Sequence, residues 1–465
     1  MARDGCRIAV IGAGFSGVMT AIHLLWRCRP GERVYLVERG DRVGPGLAYG
    51  TLNPRHLVNV RAENMSAFAD EPDHFLRWLG RLAPEQRAQA GERTIAGTFV
   101  RRSVFGAYVQ ELLREAIARQ DGADNLYLVT DEATAVRRAG QGFRLETANG
   151  RIHSIDAAVL ALGNAAEPKP ALPGYVESPW SAAATAPLEP GKPVIVLGTG
   201  LSMVDLCLAL TEQGFEGPIH AISRRGLLPL GHAPSAPWPG LVLRAGDRRS
   251  LLALLRAVRR EVRRAAEEAV GWRAVIDAIR PHVQTLWSEL GPADKARFVR
   301  HVRPWWDIHR HRMAPPVAAT VAALQASGTL TTHAGRILAM DQAAGDIRVR
   351  WRPKGAIIEQ QLLAQRVIDC TGSTGDLCRG GGPLVSQLLA DGLARAAPLG
   401  LGVDCTTYGA LIGARGQPAS DLFAVGPVTR GALWEIVAVP EIRGQAEQVA
   451  ERALAAARSA HATAA

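Results

Sequence analysis

Two stretches of this chain share one pattern: an apolar run, two glycines separated by one residue, and a second apolar run with helical spacing. They are IAVIGAGFSG at 8–17 and VIVLGTGLSMVDL at 194–206. Glycines there make a tight turn and let a phosphate approach the backbone, so each stretch predicts a strand, turn and helix of the dinucleotide-binding kind. Two such turns call for two α/β domains with separate cores, which 465 residues at 47% hydrophobic content can supply. The same balance excludes disorder, collagen and a small disulfide scaffold.

The first copy is the fuller one. Arg7–Ile11 reads as a buried parallel strand, Gly12, Gly14 and Gly17 as the turn, and Val18–Trp26 as the helix. Gly12 allows the turn, Gly14 admits the pyrophosphate, and Gly17 lets helix and strand pack closely. The helix N-terminus, with Ser16 in its first turn, offers N–H groups and partial positive charge to phosphates. A second strand, Arg33–Val37, runs into Glu38, twenty-one residues after Gly17, the spacing expected of the acid that takes a ribose hydroxyl pair. FAD and NAD both fit this turn.

In the second copy Gly198 and Gly200 repeat the turn with Ser202 following, but Met203 replaces the third glycine and should loosen strand-to-helix packing. Its second strand, Ile219–Ile222, runs into Ser223, Arg224 and Arg225 instead of an acid. A carboxylate there would repel a 2′-phosphate, whereas two guanidiniums would bind it, each charge-assisted hydrogen bond contributing about 1.5–3 kcal/mol. The second site therefore reads as one for NADPH and the first as one for a resident FAD that NADPH reduces.

The six cysteines, at 6, 28, 207, 370, 378 and 405, form no Cys-x-x-Cys and no metal-spaced cluster, which predicts reduced thiols, a cytoplasmic protein and no metal. The net charge of +10 suits anionic ligands such as dinucleotide phosphates as readily as nucleic acid and does not choose between them; the partner expected is a small-molecule substrate, of anionic character, and no nucleic acid. Ile8–Leu25 is free of formal charge, but its glycines argue for a turn, not a signal or membrane span.

The segment order resembles that of the two-dinucleotide-binding-domain flavoproteins, which include glutathione-reductase-like enzymes and flavin monooxygenases. AAVLALGN at 157–164 and RVIDCTGSTGD at 366–376 resemble their crossings between domains, and DLFAVGP at 421–427 the late strand whose turn approaches the flavin, with Pro427 where Asp is common. GPGLAYG (44–50), HLVNVRAENMSAF (56–68), WWDIHRHR (305–312) and GALWEIVAVPEIRGQA (431–446) resemble a bacterial family of FAD/NAD(P)-binding proteins related to N-hydroxylating monooxygenases. The resemblance implies a glutathione-reductase-like α/β fold with two Rossmann-like domains. It also implies FAD contacts from Tyr49, Asn59, Gly163 and Gly426, and from Trp434 and Glu435 at the opening of the last helix.

The expected FAD domain is discontinuous, 1–188 with 366–465, and the NADPH domain spans 189–365 with a helical insertion at about 229–326. Ser103–Ala118 reads as a helix, Leu126–Val136 and Phe143–Thr147 as strands of an antiparallel layer, and the alanine-rich tail after Ala453 as frayed. Helices are expected near 272–289 and 293–303. The helix at 248–269 has Arg256, Arg259, Arg260, Arg263 and Arg264 largely off its apolar face; a solvated face is the plainer reading, a membrane or acidic partner the sharper one.

No nucleophile–base arrangement or carboxylate pair stands out, consistent with chemistry carried by flavin and nicotinamide. Substrate-pocket candidates are His232, Trp305, Trp306, His309, Arg310 and Arg312; the competing reading makes the tryptophans core and the arginines partners of Asp307. Two activities fit. In one, NADPH reduces FAD and a peroxyflavin oxygenates an amine or other soft nucleophile, which the absence of a dithiol favours. In the other, an NADPH-dependent reductase passes electrons to a quinone, an iron–sulfur protein or a small acceptor.

Overall fold

The structure is a computed structural model that describes residues 5–83, 97–120, 124–163, 169–372, 376 and 380–464. Asn164, residues 373–375 of the second crossing motif and Cys378 lie outside the described residues. The chain divides into two compact units, one from Met1–Pro54, Val60–Pro168 and Ser373–Ala465, the other from Arg55–Asn59 and Lys169–Gly372.

The first unit is built on a six-stranded sheet in the spatial order Ala410–Ile412, Pro418–Ala424, Ala157–Leu160, Arg7–Ile11, Arg33–Glu38, Leu126–Thr130. All neighbours are parallel except the first pair. Ile8–Val10 and Ala157–Leu160 are almost wholly excluded from solvent, which is why these segments are unbroken apolar runs without alternation. The helix after the turn is Phe15–Leu25, three residues earlier than the sequence suggests, because Gly14 already acts as its N-cap. Helix Arg102–Ala118 lies where expected.

Leu126–Val136 is not one strand. Leu126–Thr130 ends the parallel sheet, and Ala133–Ala139 opens a separate antiparallel sheet with Gly142–Thr147 and Ile152–Ile155. The Asp131 carboxylate makes the break, accepting the N–H groups of Glu132 and Asn149 at 2.8 and 3.3 Å. Nor does the tail fray: one helix runs Val439–Ala464 with Ala453, Leu454 and Ala457 buried. Arg27 pairs with Glu447 and Glu451 (3.0 and 2.8 Å), and Arg458 grips Glu32 (2.7 Å), so the alanines pack instead of melting.

The second unit carries a seven-stranded sheet in the order Gln360–Ala364, Asp346–Pro353, Leu330–Ala343, Ile219–Ser223, Val194–Leu197, Arg366–Asp369, Tyr175–Val176. Its first two pairs are antiparallel and the rest parallel. Because Tyr175–Val176 and Arg366–Asp369 pair into this sheet, the unit takes in residues 169–188 and 366–372, which the sequence reading gave to the other domain. Buried Asp369 accepts Lys169 Nζ at 2.7 Å and the Tyr175 hydroxyl at 2.8 Å, fastening the ends of the 169–372 segment together. Burial opposes its charge, yet Lys169 and Thr371 hold the carboxyl below the usual range.

Between Ser223 and Leu330 the chain forms helices Leu251–Glu267, Trp272–Ile279, Val283–Glu289, Pro292–Arg297, Arg303–Arg310 and Pro315–Ala326. The expected helix at 272–289 is broken at Pro281 by a 3₁₀ turn. The one at 293–303 ends at Arg297, where a π-helical turn, Phe298–Val302, leads into Arg303–Arg310. Among the described residues no helix is long and apolar enough to cross a membrane.

Two tests follow from this packing. A Cβ at Gly17 would stand 1.8 Å from the Gly12 carbonyl oxygen and 3.2 Å from Ala161 Cβ. Gly17→Ala should therefore lower stability by about 1–3 kcal/mol in urea unfolding, and an unchanged midpoint would refute the close approach. His220 Nδ1 and His333 Nε2 share a hydrogen bond at 3.1 Å, and burial lowers both imidazole pKa values, His220 adding to the shift of His333. The unfolded chain takes up these protons from its ordinary pKa of about 6.5 downward while the folded chain resists. Stability should be full above that pH and fall below it, and His333→Phe should flatten the dependence of the thermal midpoint between pH 7 and 5.

Candidate functional sites

In the first unit the C-terminal ends of the parallel strands converge, where open α/β sheets hold ligands. Gly12 follows Arg7–Ile11 with φ +100°, its N–H donating to Val37 O at 2.8 Å. Gly14 caps the next helix without a side chain, leaving the first-turn N–H groups uncovered by a cap. The Glu38 carboxylate is aimed at this turn: Oε2 accepts the Ala13 N–H at 2.8 Å, and Oε1 the Gly40 N–H at 3.0 Å. Both oxygens keep a lone pair for a ribose hydroxyl.

Other elements close on the same edge. Gly44 N–H donates to Ala13 O at 2.8 Å, and a Cβ on Gly46 would lie 3.0 Å from Gly14 Cα, so GPGLAYG folds against the turn. The Tyr49 ring packs on Phe105 and Phe15, with centroids 4.6 and 6.4 Å away, and burial pushes its phenol up to about 12, keeping it a protonated donor. Gly426, at φ +76°, brings the late strand to the helix: a Cβ there would lie 2.3 Å from Ser16 Oγ. Gln445 Oε1 accepts the Gly426 N–H at 2.8 Å, and Thr429 Oγ1 donates to the Gly426 carbonyl at 2.8 Å. Gly163 has φ +67° and open space where its Cβ would be. These side-chain-free positions suit an adenine dinucleotide laid across the edge.

Trp434 and Glu435 are both buried, but they do not open the last helix, which begins at Val439. They sit in the preceding turn, Glu435 at φ +71° and the Arg430 guanidinium 5.0 Å over the Trp434 ring. Asn59 belongs to the second unit, where its carbonyl accepts from His232 Nε2 at 3.1 Å.

The second unit repeats the turn. Gly198 has φ +101° and donates to Ile222 O at 2.7 Å; Gly200 caps helix Leu201–Glu212, and Ser202 stands half-buried in its first turn. Met203 is fully buried with its sulfur 3.4 Å from Cys207 Sγ, and the helix forms despite it. Leu197 pairs with Ile222 as Ile11 pairs with Val37, so Ser223 holds the place of Glu38. The Ser223 hydroxyl lies 2.9 Å from Thr199 Oγ1 and accepts the Gly226 N–H at 3.0 Å. Arg224 is exposed, and Arg225 makes only long bonds, 3.5 and 3.4 Å, to the carbonyls of Arg300 and His301 in the π-helical turn. Sequence reasoning passed over Thr199, although a small polar residue just after the turn glycine was its visible signal.

The substrate candidates are brought together. His232 N–H donates to Met313 O at 2.8 Å, and Arg273 donates twice to Gly231 O, at 3.1 and 2.8 Å. The Trp272 ring sits 4.7 Å from His309 and 4.5 Å below the Arg273 guanidinium. Trp305 is 47% exposed, so it is not core; Trp306 is half-buried, and His309 Nδ1 lies 2.7 Å from Trp305 O. Arg310 and Arg312 are buried, and Arg312 is paired with Asp277, a partner thirty-five residues away that no local pattern announces.

Among the described residues the cysteines carry no sign of reactivity: burial pushes the Cys6, Cys28, Cys207 and Cys405 thiols up to about 12, and Cys370 well up.

Residues 9–165 match the family model described as FAD-NAD(P)-binding. No curated protein matches the chain in sequence. In structure it is similar to the reduced form of ornithine hydroxylase from Pseudomonas aeruginosa, at 13% identity over 97% of this chain and 99% of that one, TM-score 0.64. It is also similar to L-lysine 6-monooxygenase from Pseudomonas syringae, at 17% identity over 97% and 99%, TM-score 0.61. Bacillithiol disulfide reductase from Bacillus cereus shares the fold at 13% identity over 97% and 99%, TM-score 0.52. Residues 9–165 thus resemble an FAD-NAD(P)-binding domain, in a chain that shares the fold of those enzymes.

Proposed function

We propose that the protein is an FAD-containing, NADPH-dependent oxidoreductase that oxygenates an amine or other soft nucleophile as a single component. The carrying observation is the contrast at two register-matched positions. Glu38 presents a carboxylate where Ser223, followed by Arg224 and Arg225, presents a hydroxyl and two guanidiniums. The first suits an unphosphorylated adenosine ribose, the second a 2′-phosphate. Oxygenation is supported by the likeness to enzymes named for hydroxylating ornithine and oxygenating lysine.

When bound, FAD supplies the redox and oxygen chemistry. The chain's own residues bind and orient. Gly12, Gly14, Gly17 and the helix N-terminus take the FAD pyrophosphate, Glu38 the ribose, and Tyr49, Gly163, Gly426, Trp434 and Glu435 the remainder of the cofactor. Gly198, Gly200 and Ser202 take the NADPH pyrophosphate, with Arg224 and Arg225 on the 2′-phosphate. His232, Trp305, Trp306, His309 and Arg310 are the candidates for substrate, with Arg312 positioned by Asp277. A reductase delivering electrons to a quinone or small acceptor is the second reading, favoured by the likeness to bacillithiol disulfide reductase.

Arg224→Ala with Arg225→Ala should cut the preference in kcat/KM for NADPH over NADH by about 10-fold or more, the loss of at least one charge-assisted hydrogen bond. An unchanged ratio would remove the 2′-phosphate assignment. With ornithine, lysine or a simple diamine, NADPH oxidation should consume oxygen and yield an N-hydroxylated product. Rapid anaerobic quinone reduction, with no oxygenated product from any amine, would replace this reading with the reductase.

A further inference from the structure

The basic helix Leu251–Glu267 sorts its arginines into two groups. Glu261 is wholly buried and consumes two of them: Arg264 Nη1 lies 2.8 Å from its Oε2, and Arg260 Nε 3.5 Å from its Oε1. Arg260 also holds Asp247 at 2.9 Å, and Arg264 donates to Gly240 O at 3.3 Å, so this pair pins the 240–247 loop to the helix. Arg256, Arg259 and Arg263 are on the exposed side and take no part in these bonds.

At about 100° per residue, Leu252, Arg256, Arg259 and Arg263 fall within one narrow stripe. The buried residues Leu251, Ala257, Glu261 and Ala265 lie on the opposite side. Arg249 is exposed just before the N-cap Ser250, and the helix's exposed acids, Glu267 and Glu268, come only at its end. The stripe also carries an apolar side chain, Leu252, which is 57% exposed.

We propose that this stripe is a docking surface for an anionic phospholipid membrane, on which the helix lies parallel to the plane. Charge complementarity selects a phosphate- or carboxylate-bearing partner, because arginine forks match such groups bidentately and no acid of the helix answers these three. The exposed Leu252 decides for lipid over nucleic acid, since an interfacial helix buries apolar side chains at the headgroup boundary while a phosphate backbone offers them nothing. A straight row of guanidiniums also fits a flat, laterally mobile array of headgroups better than a curving duplex groove. The surface is independent of the oxidoreductase reading, and its failure would leave that reading untouched.

The test is flotation of the full-length protein with vesicles of phosphatidylcholine alone or with about 30% phosphatidylserine. Binding is expected only to the anionic vesicles, reversed by raising salt beyond the screening range. Arg256→Gln, Arg259→Gln and Arg263→Gln together should lower the partition by about 100-fold. These side chains are exposed, so the variant should keep its thermal midpoint and circular dichroism. Arg260→Gln with Arg264→Gln is the contrasting variant, expected to lower the midpoint through Glu261. Equal binding to both vesicle types, no binding to either, or undiminished binding by the triple variant would overturn the proposal. So would arginine-dependent binding to a DNA or RNA duplex without vesicle binding.

Discussion

No side chain can stand at Gly12 or at Gly198, and the architecture of both units follows from that. Each lies at the C-terminal end of the first strand of its dinucleotide turn with φ near +100°, and in each a Cβ would press on the carbonyl closing the neighbouring parallel strand. The distance is 2.4 Å to Ala161 O in one case and 2.5 Å to Cys370 O in the other. Only a glycine turns there while letting the strands pair, and only then does the next helix start with its N-terminus on the sheet edge. The two units solve one steric problem in the same way, each helix capped by a glycine two residues on, although Gly17 has become Met203.

With the turns alike, the contrast between the two units falls at the end of the second strand, at Glu38 in one and at Ser223, Arg224 and Arg225 in the other. Strand pairing sets Glu38 and Ser223 at the same register, each beside the residue that follows the turn glycine. In the first unit a carboxylate reaches back to the Ala13 N–H; in the second, two hydroxyls, of Thr199 and Ser223, face each other at 2.9 Å. Neutral hydroxyls beside two arginines tolerate a phosphate dianion that a carboxylate would repel. In the proposed reading, the changes in side-chain charge at 223–225 relative to Glu38 divide labour between two nucleotides on a shared scaffold.

Charged residues elsewhere show how far their meaning depends on neighbours distant in sequence. Arg264 and Arg263 are adjacent, yet one is spent on a buried glutamate and the other stands in solvent. Arg312, which reads like a substrate clamp, is paired with Asp277 and lies 5.9 Å from the Trp272 ring. The Lys169–Asp369 pair spans two hundred residues and fastens the segment that holds the second turn.

The sequence by itself determined the two strand–turn–helix units, their glycines, the acid at 38 and the arginines at 224 and 225. All of these are local: periodicity, backbone freedom and fixed spacing act within about thirty residues. Tertiary structure decided what depends on long-range pairing. It split 126–136 between two sheets, gave 169–188 and 366–372 to the second unit, and kept the alanine-rich tail helical through Arg27 and Arg458. It also drew His232 and the 305–312 segment into one cluster and sorted the arginines of 251–267 into tethers and a solvent stripe. Burial, ion-pair partners and sheet membership arise between residues far apart along the chain, where a linear pattern carries no record of who meets whom.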